Sequence, residues 1–279
     1  MKTIIIATDF SASALNAARY AASLSKQLSV KQIILYHSYE LPIATEIPFP
    51  EYQDSHILHE KSTNSLINLK LAIADSCSED AIITILTNDT PTATGLDLLG
   101  KQYPESLVVI GVTGKSRGLT ALIGSNTISI VKHSRTPVLV VPNESSYKII
   151  KNVVLSCDLK DVTQCSPVLT IKEFVHSLNA KLLLLNVDHN ESQHFNPDII
   201  TEQYHLHALW DNEAPEYHYT DNKDVAFGIM EFAKEHQSGI VIIIAKTYGF
   251  FEGLFHKSIT RKLALNTQLP LLILKEAQN

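Results

Sequence analysis

The sequence predicts an α/β protein of two tandem doubly wound domains, each a five-stranded, mainly parallel sheet with helices on both faces. Three observations carry this expectation. Short β-branched runs alternate with segments of helical period along the chain, the pattern of βαβ units with right-handed crossovers. Some runs, such as Ile240-Val-Ile-Ile-Ile244, are apolar at every position, as strands covered on both faces must be. The chain also repeats itself. KTIIIATD at residues 2–9 is echoed by KNVVLSCD at 151–158, and GSNTISIVKHSRTPVLVV at 124–141 by KSITRKLALNTQLPLLIL at 257–274. In the later pair, serine precedes proline by 12 positions both times, Ser125 to Pro137 and Ser258 to Pro270. Matches at both ends of two halves mark homologous domains over 1–143 and 149–279, joined around the polar stretch Pro142-Asn-Glu-Ser-Ser-Tyr147.

The elements follow in order. Thr3 to Thr8 is a strand by its β-branched run, and SASALNAARYAASLSKQL after it opens with serine caps. There Leu15, Ala18 and Ala22, and again Ala14, Ala21 and Leu28, fall at helical spacings. Strands at Gln32 to His37, Ala81 to Thr87, Leu107 to Gly111 and Pro137 to Val141 alternate with helices near 54–77, 92–102 and 124–134. The second half repeats the order, with strands near 152–157, 180–186, 215–220, 239–245 and 270–275. Each half ends in an apolar strand that would invite aggregation if left at a bare sheet edge. The two are therefore expected to pair with each other as a pseudo-twofold pair.

Composition narrows the function. Over 279 residues, 45% hydrophobic and 19% charged is an ordinary globular balance, and a net charge of -6 argues against nucleic-acid or polybasic membrane partners. No apolar stretch is long enough to span a bilayer. MKTIIIATDFS has too short an apolar run before Asp9 for a signal peptide, so a cytoplasmic setting is the expectation. Cys77, Cys157 and Cys165 form neither a disulfide framework nor a C-x-x-C zinc pattern. They read as buried or inert thiols.

The chemistry concentrates in GVTGKSRGLTALIGS, residues 111–125, which follows an apolar strand and leads into a helix. Such a loop lies at the carboxyl edge of the sheet, where doubly wound proteins bind ligands. Glycine lets backbone N–H groups approach a phosphate, and the helix opened by Gly124-Ser125-Asn126-Thr127 offers unpaired N–H groups to an anion. There is no Walker pattern and no dinucleotide fingerprint after the first strand. From composition alone a glycine-rich crossover with a serine cap remains open beside a phosphate loop.

The spacing Gly111-x2-Gly114-x9-Gly124-Ser125, with its flanking VVIG strand, the Gly118-Leu119 step and Asp9 in ATDFS, resembles the nucleotide-binding motif of the universal stress protein family. The resemblance covers the whole chain as a tandem pair, with an adenine-nucleotide alpha-hydrolase-like fold. It implies ATP as ligand, with magnesium (Mg2+) as companion of the triphosphate. It places Asp9 near ribose or adenine, and Gly111, Gly114, Gly124, Ser125, Asn126 and Thr127 at the phosphates. Ala7 and Ser38 border the adenine through backbone groups. Lys115 and Arg117 either neutralise phosphate charge or are solvated loop cations.

The second half departs from the motif. AKTYGFFEGLFHKS at 245–258 puts Ala245, Tyr248 and Lys257 where the glycines stand, and is one residue shorter, although Asp158 persists. Nucleotide is therefore expected only in the first half. His189, His194, His205, His207 and His218 lack the i, i+4 spacing of a helical zinc pair and read as scattered surface residues. No nucleophile elbow, acid/base pair or arginine finger is present, so no residue is read as catalytic or metal-binding. The expected function is a stress-response sensor or regulator, acting through a protein partner and able to form a homodimer. A slow adenine-nucleotide hydrolase or transferase, and a nucleotide-independent dimerising module, are the alternatives.

Overall fold

The computed structural model describes residues 1–39, 55–112, 125–189, 196–246 and 268–276. The first half supplies β1 (Thr3–Ala7), α1 (Ala12–Gln27), β2 (Gln32–Ser38), α2 (Ser55–Ile73), β3 (Ile82–Asn88), α3 (Thr92–Gln102), β4 (Ser106–Val112), α4 (Ser125–His133) and β5 (Val138–Pro142). The second supplies β6 (Asn152–Ser156), α5 (Val162–Cys165), α6 (Val168–Leu178), β7 (Lys181–Asp188), α7 (Pro197–Trp210), β8 (Glu216–Asp221), α8 (Val225–Glu235), β9 (Ile240–Ala245) and β10 (Leu271–Lys275). Every strand expected from the sequence is present, with ends shifted by two residues at most.

All ten strands form one sheet in the order β3-β2-β1-β4-β5-β10-β9-β6-β7-β8. The order β3-β2-β1-β4-β5 recurs in the second half as β8-β7-β6-β9-β10. Neighbours within each half are parallel. The expected pairing of the last strands is borne out: β5 and β10 run antiparallel, with Val140 opposite Leu271, Leu139 opposite Leu272 and Val138 opposite Ile273. The carboxyl edges of the two halves therefore point to opposite ends of the molecule.

Alternation along each strand sorts its side chains into two apolar layers. Ile4 and Ile6 of β1 join residues of α1, α2, α6 and α7, whereas Ile5 and Ala7 join those of α3, α4 and α8. Each layer runs across both halves. Alanines at 14, 17, 18, 21 and 22 are buried and bring α1 close to the sheet, and its first turn is capped by the Ser11 hydroxyl, which accepts from Ala14 N at 3.2 Å. The matching stretch of the second half is split, because Ser166-Pro167 separates α5 from α6 and proline offers no N–H.

The connection between the halves is held by α1. Asn16 Nδ2 donates to the carbonyls of Pro142 and Ser145, both at 3.0 Å. Gln27 uses its whole amide: Nε2 donates to Ile150 O and Leu178 O at 2.8 Å each, and Oε1 accepts from Tyr147 Oη at 2.7 Å and Ile150 N at 3.0 Å. One side chain thus ties α1 to the linker and to the end of α6. The polar stretch expected to be a plain linker is clamped at three points, since Ser145 Oγ also donates to Gln268 O at 2.7 Å. Replacing Gln27 with alanine strands two carbonyls, an amide and a phenol in a half-buried site. The variant is expected to lose about 2–4 kcal/mol of stability, measured by urea unfolding with an unchanged m-value.

Candidate functional site

In each half the chain order reverses between the first and fourth strands, the position where open α/β sheets bind ligands. Ile6 opposite Val109 is the last β1–β4 pair. Beyond it the chain stays with β2, through Thr8 N donating to Tyr36 O at 2.9 Å, while β4 continues beside β5 to Val112 opposite Pro142. The strands part there. Ala7 closes β1 with its methyl group buried, so only its backbone borders the edge. Asp9 is exposed, and its Oδ1 accepts from Ser11 N at 3.0 Å. Phe10 between them has φ of 63°, in the left-handed region, fixed by its N–H donating to Thr8 Oγ1 at 2.9 Å. Ser38 ends β2, and its hydroxyl donates to Thr90 O, leaving backbone as what it offers a ligand.

Gly111 stands at the end of β4 directly beneath the start of α1. A Cβ there would lie 2.2 Å from Ser13 O and 2.8 Å from Ala14 N. Glycine is required at this position by helix packing, whatever binds above it. After the loop, α4 begins at Ser125 and carries Asn126 exposed and Thr127 half-buried, with Ile130 anchoring it in the core. Gly114, Gly124, Lys115 and Arg117 lie outside the described residues. The fold therefore gathers Ala7, Asp9, Ser38, Gly111 and the first turn of α4 at one sheet edge, where that turn's unpaired N–H groups favour an anion.

The same edge of the second half is arranged differently, and the pairing corrects the expected alignment: Ile244 opposite Leu274, not Ala245, matches Gly111 opposite Val141, so Ile244 to Lys257 spans the same 13 positions as Gly111 to Gly124. Ser156 opposite Leu185 matches Ala7 opposite Tyr36, so Asp158 stands where Asp9 does. Its Oδ1 accepts from Lys246 Nζ at 2.6 Å, and Lys246 also donates to Lys160 O. Lys246 directly follows β9, so its ammonium lies across the switch point. Sequence reasoning missed this cation because it belongs to no motif. Nearby, burial pushes the Cys157 thiol up to about 11, and burial likewise raises Cys77 and Cys165.

The histidines divide. His205 faces Glu202 at 3.3 Å, and His207 stacks on Tyr217 with ring centroids 3.7 Å apart. His218 corrects the surface reading: it packs against Phe232 at 4.8 Å and His236 at 5.0 Å. His194 lies outside the described residues. Among the described residues no group of three or more His, Cys, Asp or Glu is placed to hold a metal, and no helix is long and apolar enough to cross a membrane.

A pseudo-twofold pair of doubly wound halves joined in one sheet, each with a switch-point edge, is the class the fold defines. Within that class the family is settled by sequence: residues 1–142 match the model of the universal stress protein family, and the chain belongs to it. A search of curated proteins finds no match. Among solved structures, a universal stress protein from Archaeoglobus fulgidus DSM 4304 superposes with a TM-score of 0.74 at 16% identity, over 98% of each chain. A candidate universal stress protein from Pseudomonas aeruginosa UCBPP-PA14 gives 0.64 at 11%, over 99% of this chain and 94% of the other. A protein of unknown function from Pseudomonas aeruginosa PAO1 gives 0.62 at 11%, over 99% and 93%. At these identities the likeness shows a shared fold, and it extends over both halves.

Two expectations follow from the site. Gly111→Ala should lose about 1–3 kcal/mol in urea unfolding, because the methyl group meets backbone rather than a yielding side chain. The Cys157 thiol holds its proton to about 11 when folded but ionises from 9.0 when not. The folded state binds more protons in that interval, so stability falls as pH rises through it. Iodoacetamide at pH 8 should accordingly spare Cys157 in native protein and label it in urea, read by peptide mass spectrometry.

Proposed function

We propose that this universal stress protein binds one adenine nucleotide, ATP with magnesium, at the switch point of its first half, and acts as a cytoplasmic stress-response sensor or regulator. One contrast carries the reading. Asp9 accepts only a backbone N–H and has no cationic partner among the described residues, whereas its counterpart Asp158 is already held by Lys246. Among the described residues the first edge thus presents a carboxylate with no cation on it beside an anion-favouring helix terminus, and the second supplies its own cation. The motif spacing and the family match over residues 1–142 point to the same half. Asp9 would accept from ribose hydroxyls, while Gly111, Gly114, Gly124, Ser125, Asn126 and Thr127 would hold the phosphates.

Regulation fits this site better than turnover, since the sequence offers no general base for water and no arginine finger. The domains we assign are 1–143, which takes nucleotide, and 149–279, which braces it. Because β5 and β10 cover each other within one chain, a homodimer would use another surface.

Calorimetric titration of the full chain with MgATP tests the reading. Saturation at one ATP per chain is expected, with affinity falling at least about tenfold in Asp9→Ala and unchanged in Asp158→Ala. Two equivalent sites per chain, or an undiminished Asp9→Ala, would overturn it.

A further inference from the structure

The edge beside Asp9 carries a group that the nucleotide motif does not account for. His37, the penultimate residue of β2, lies with Nδ1 2.7 Å from Thr8 O. A carbonyl only accepts, so Nδ1 carries the hydrogen, and in the neutral imidazole Nε2 is left as an acceptor. That nitrogen has no hydrogen-bond partner among the described residues. Phe10 leans on the ring, centroids 4.5 Å apart and tilted by 46°, and is itself 38% exposed. The left-handed turn itself is common to both halves, since Leu159 at the matching position has φ of 52°, but Leu159 is buried whereas Phe10 keeps its ring exposed at the edge.

The second half shows which part of this arrangement is structural. Asn186 occupies the matching position of β7, one residue after Leu185, and its Nδ2 donates to Cys157 O at 2.9 Å, the same bond made to the same carbonyl position. An asparagine therefore suffices to tie the second strand to the turn after the first. Where the site is closed by Lys246, the chain uses asparagine. Where the first edge has no such lysine among the described residues, it uses histidine, and what the imidazole adds is a ring face and an acceptor, Nε2, that lies farther from the backbone than the Oδ1 an asparagine would offer beside its donor.

We infer that His37 is the residue that reads the base. This rests on the nucleotide reading above. With phosphates at the start of α4 and the sugar near Asp9, the base extends toward β1 and β2, where Phe10 and His37 offer aromatic surface for it to lie against. Nε2 accepts a hydrogen bond from the exocyclic amino group of adenine. Hypoxanthine and guanine carry a carbonyl oxygen at that position, which sets two acceptors against each other and leaves both unpaired. The chemical class selected is a purine with a 6-amino group.

The test compares MgATP and MgITP, which differ at that group, by calorimetry on wild-type protein and on His37→Asn. This variant keeps a donor for Thr8 O, as Asn186 does for Cys157 O, and its folding is checked by thermal melting. Wild-type protein should favour ATP over ITP by at least about tenfold, and His37→Asn should bring the ratio near one by weakening ATP. A wild-type preference retained in full by the variant would overturn the role of His37 while leaving the nucleotide site standing. Binding of neither nucleotide by wild-type protein would remove the site itself. N6,N6-dimethyl-ATP, which has no donor at that position, needs no variant: wild-type affinity equal to that for ATP would also overturn the inference.

Discussion

Between Val138 and Val140 the first half of the sheet gives its last edge to Leu271–Ile273 of the second, in antiparallel register. Both strands are apolar along their length and neither could stand at a bare edge without becoming a template for association. Pairing them inside one chain removes that hazard and makes the two apolar layers continuous from one half to the other. The antiparallel sense has a geometric consequence. It turns the second half over, so that the two switch-point edges lie at opposite ends and can change independently.

That independence is visible in the details. The first half keeps a single α1, whose opening turn sits so close to β4 that residue 111 must be glycine. The second half breaks the corresponding helix at Ser166-Pro167 and has Ile244, opposite Leu274, where Gly111 stands opposite Val141. There a side chain is accommodated at Ile244, and Lys246 two residues further on binds Asp158. Loss of the glycine pattern, a broken helix and an internal ion pair occur together in this half. The second half keeps the sheet, with Lys246 lying across its switch point.

The fold was legible in the sequence because it rests on repeated, strongly apolar strands and on the serine-to-proline spacing shared by the two halves. Pairing of β5 with β10 was legible for the same reason, since two such strands leave no other cover. The site was legible only in part. Asp9 and the glycine spacing belong to a motif, and the structure adds that Gly111 has a packing reason of its own. His37, Phe10 and Gln27 were not legible, because their roles arise from contacts between distant segments: His37 to Thr8 O, and Gln27 to the linker and α6. Lys246 sits one residue beyond a strand and acquires meaning only through Asp158, 88 positions earlier. His218 read as a surface histidine because the sequence does not show that α8 places Phe232 and His236 beside it.

Among the described residues Asp9 carries no cation and Asp158 carries Lys246, so under the proposed function ligand should change the molecule at the first edge alone. Hydrogen–deuterium exchange with and without saturating MgATP addresses it directly, because backbone protection is read along the whole chain at once. Slowed exchange is expected in the segments around Asp9, around Ser38 and in the first turn of α4, with none around Asp158 to Val162 or at the end of β9. Equal slowing at both edges, or slowing confined to the second, would contradict it.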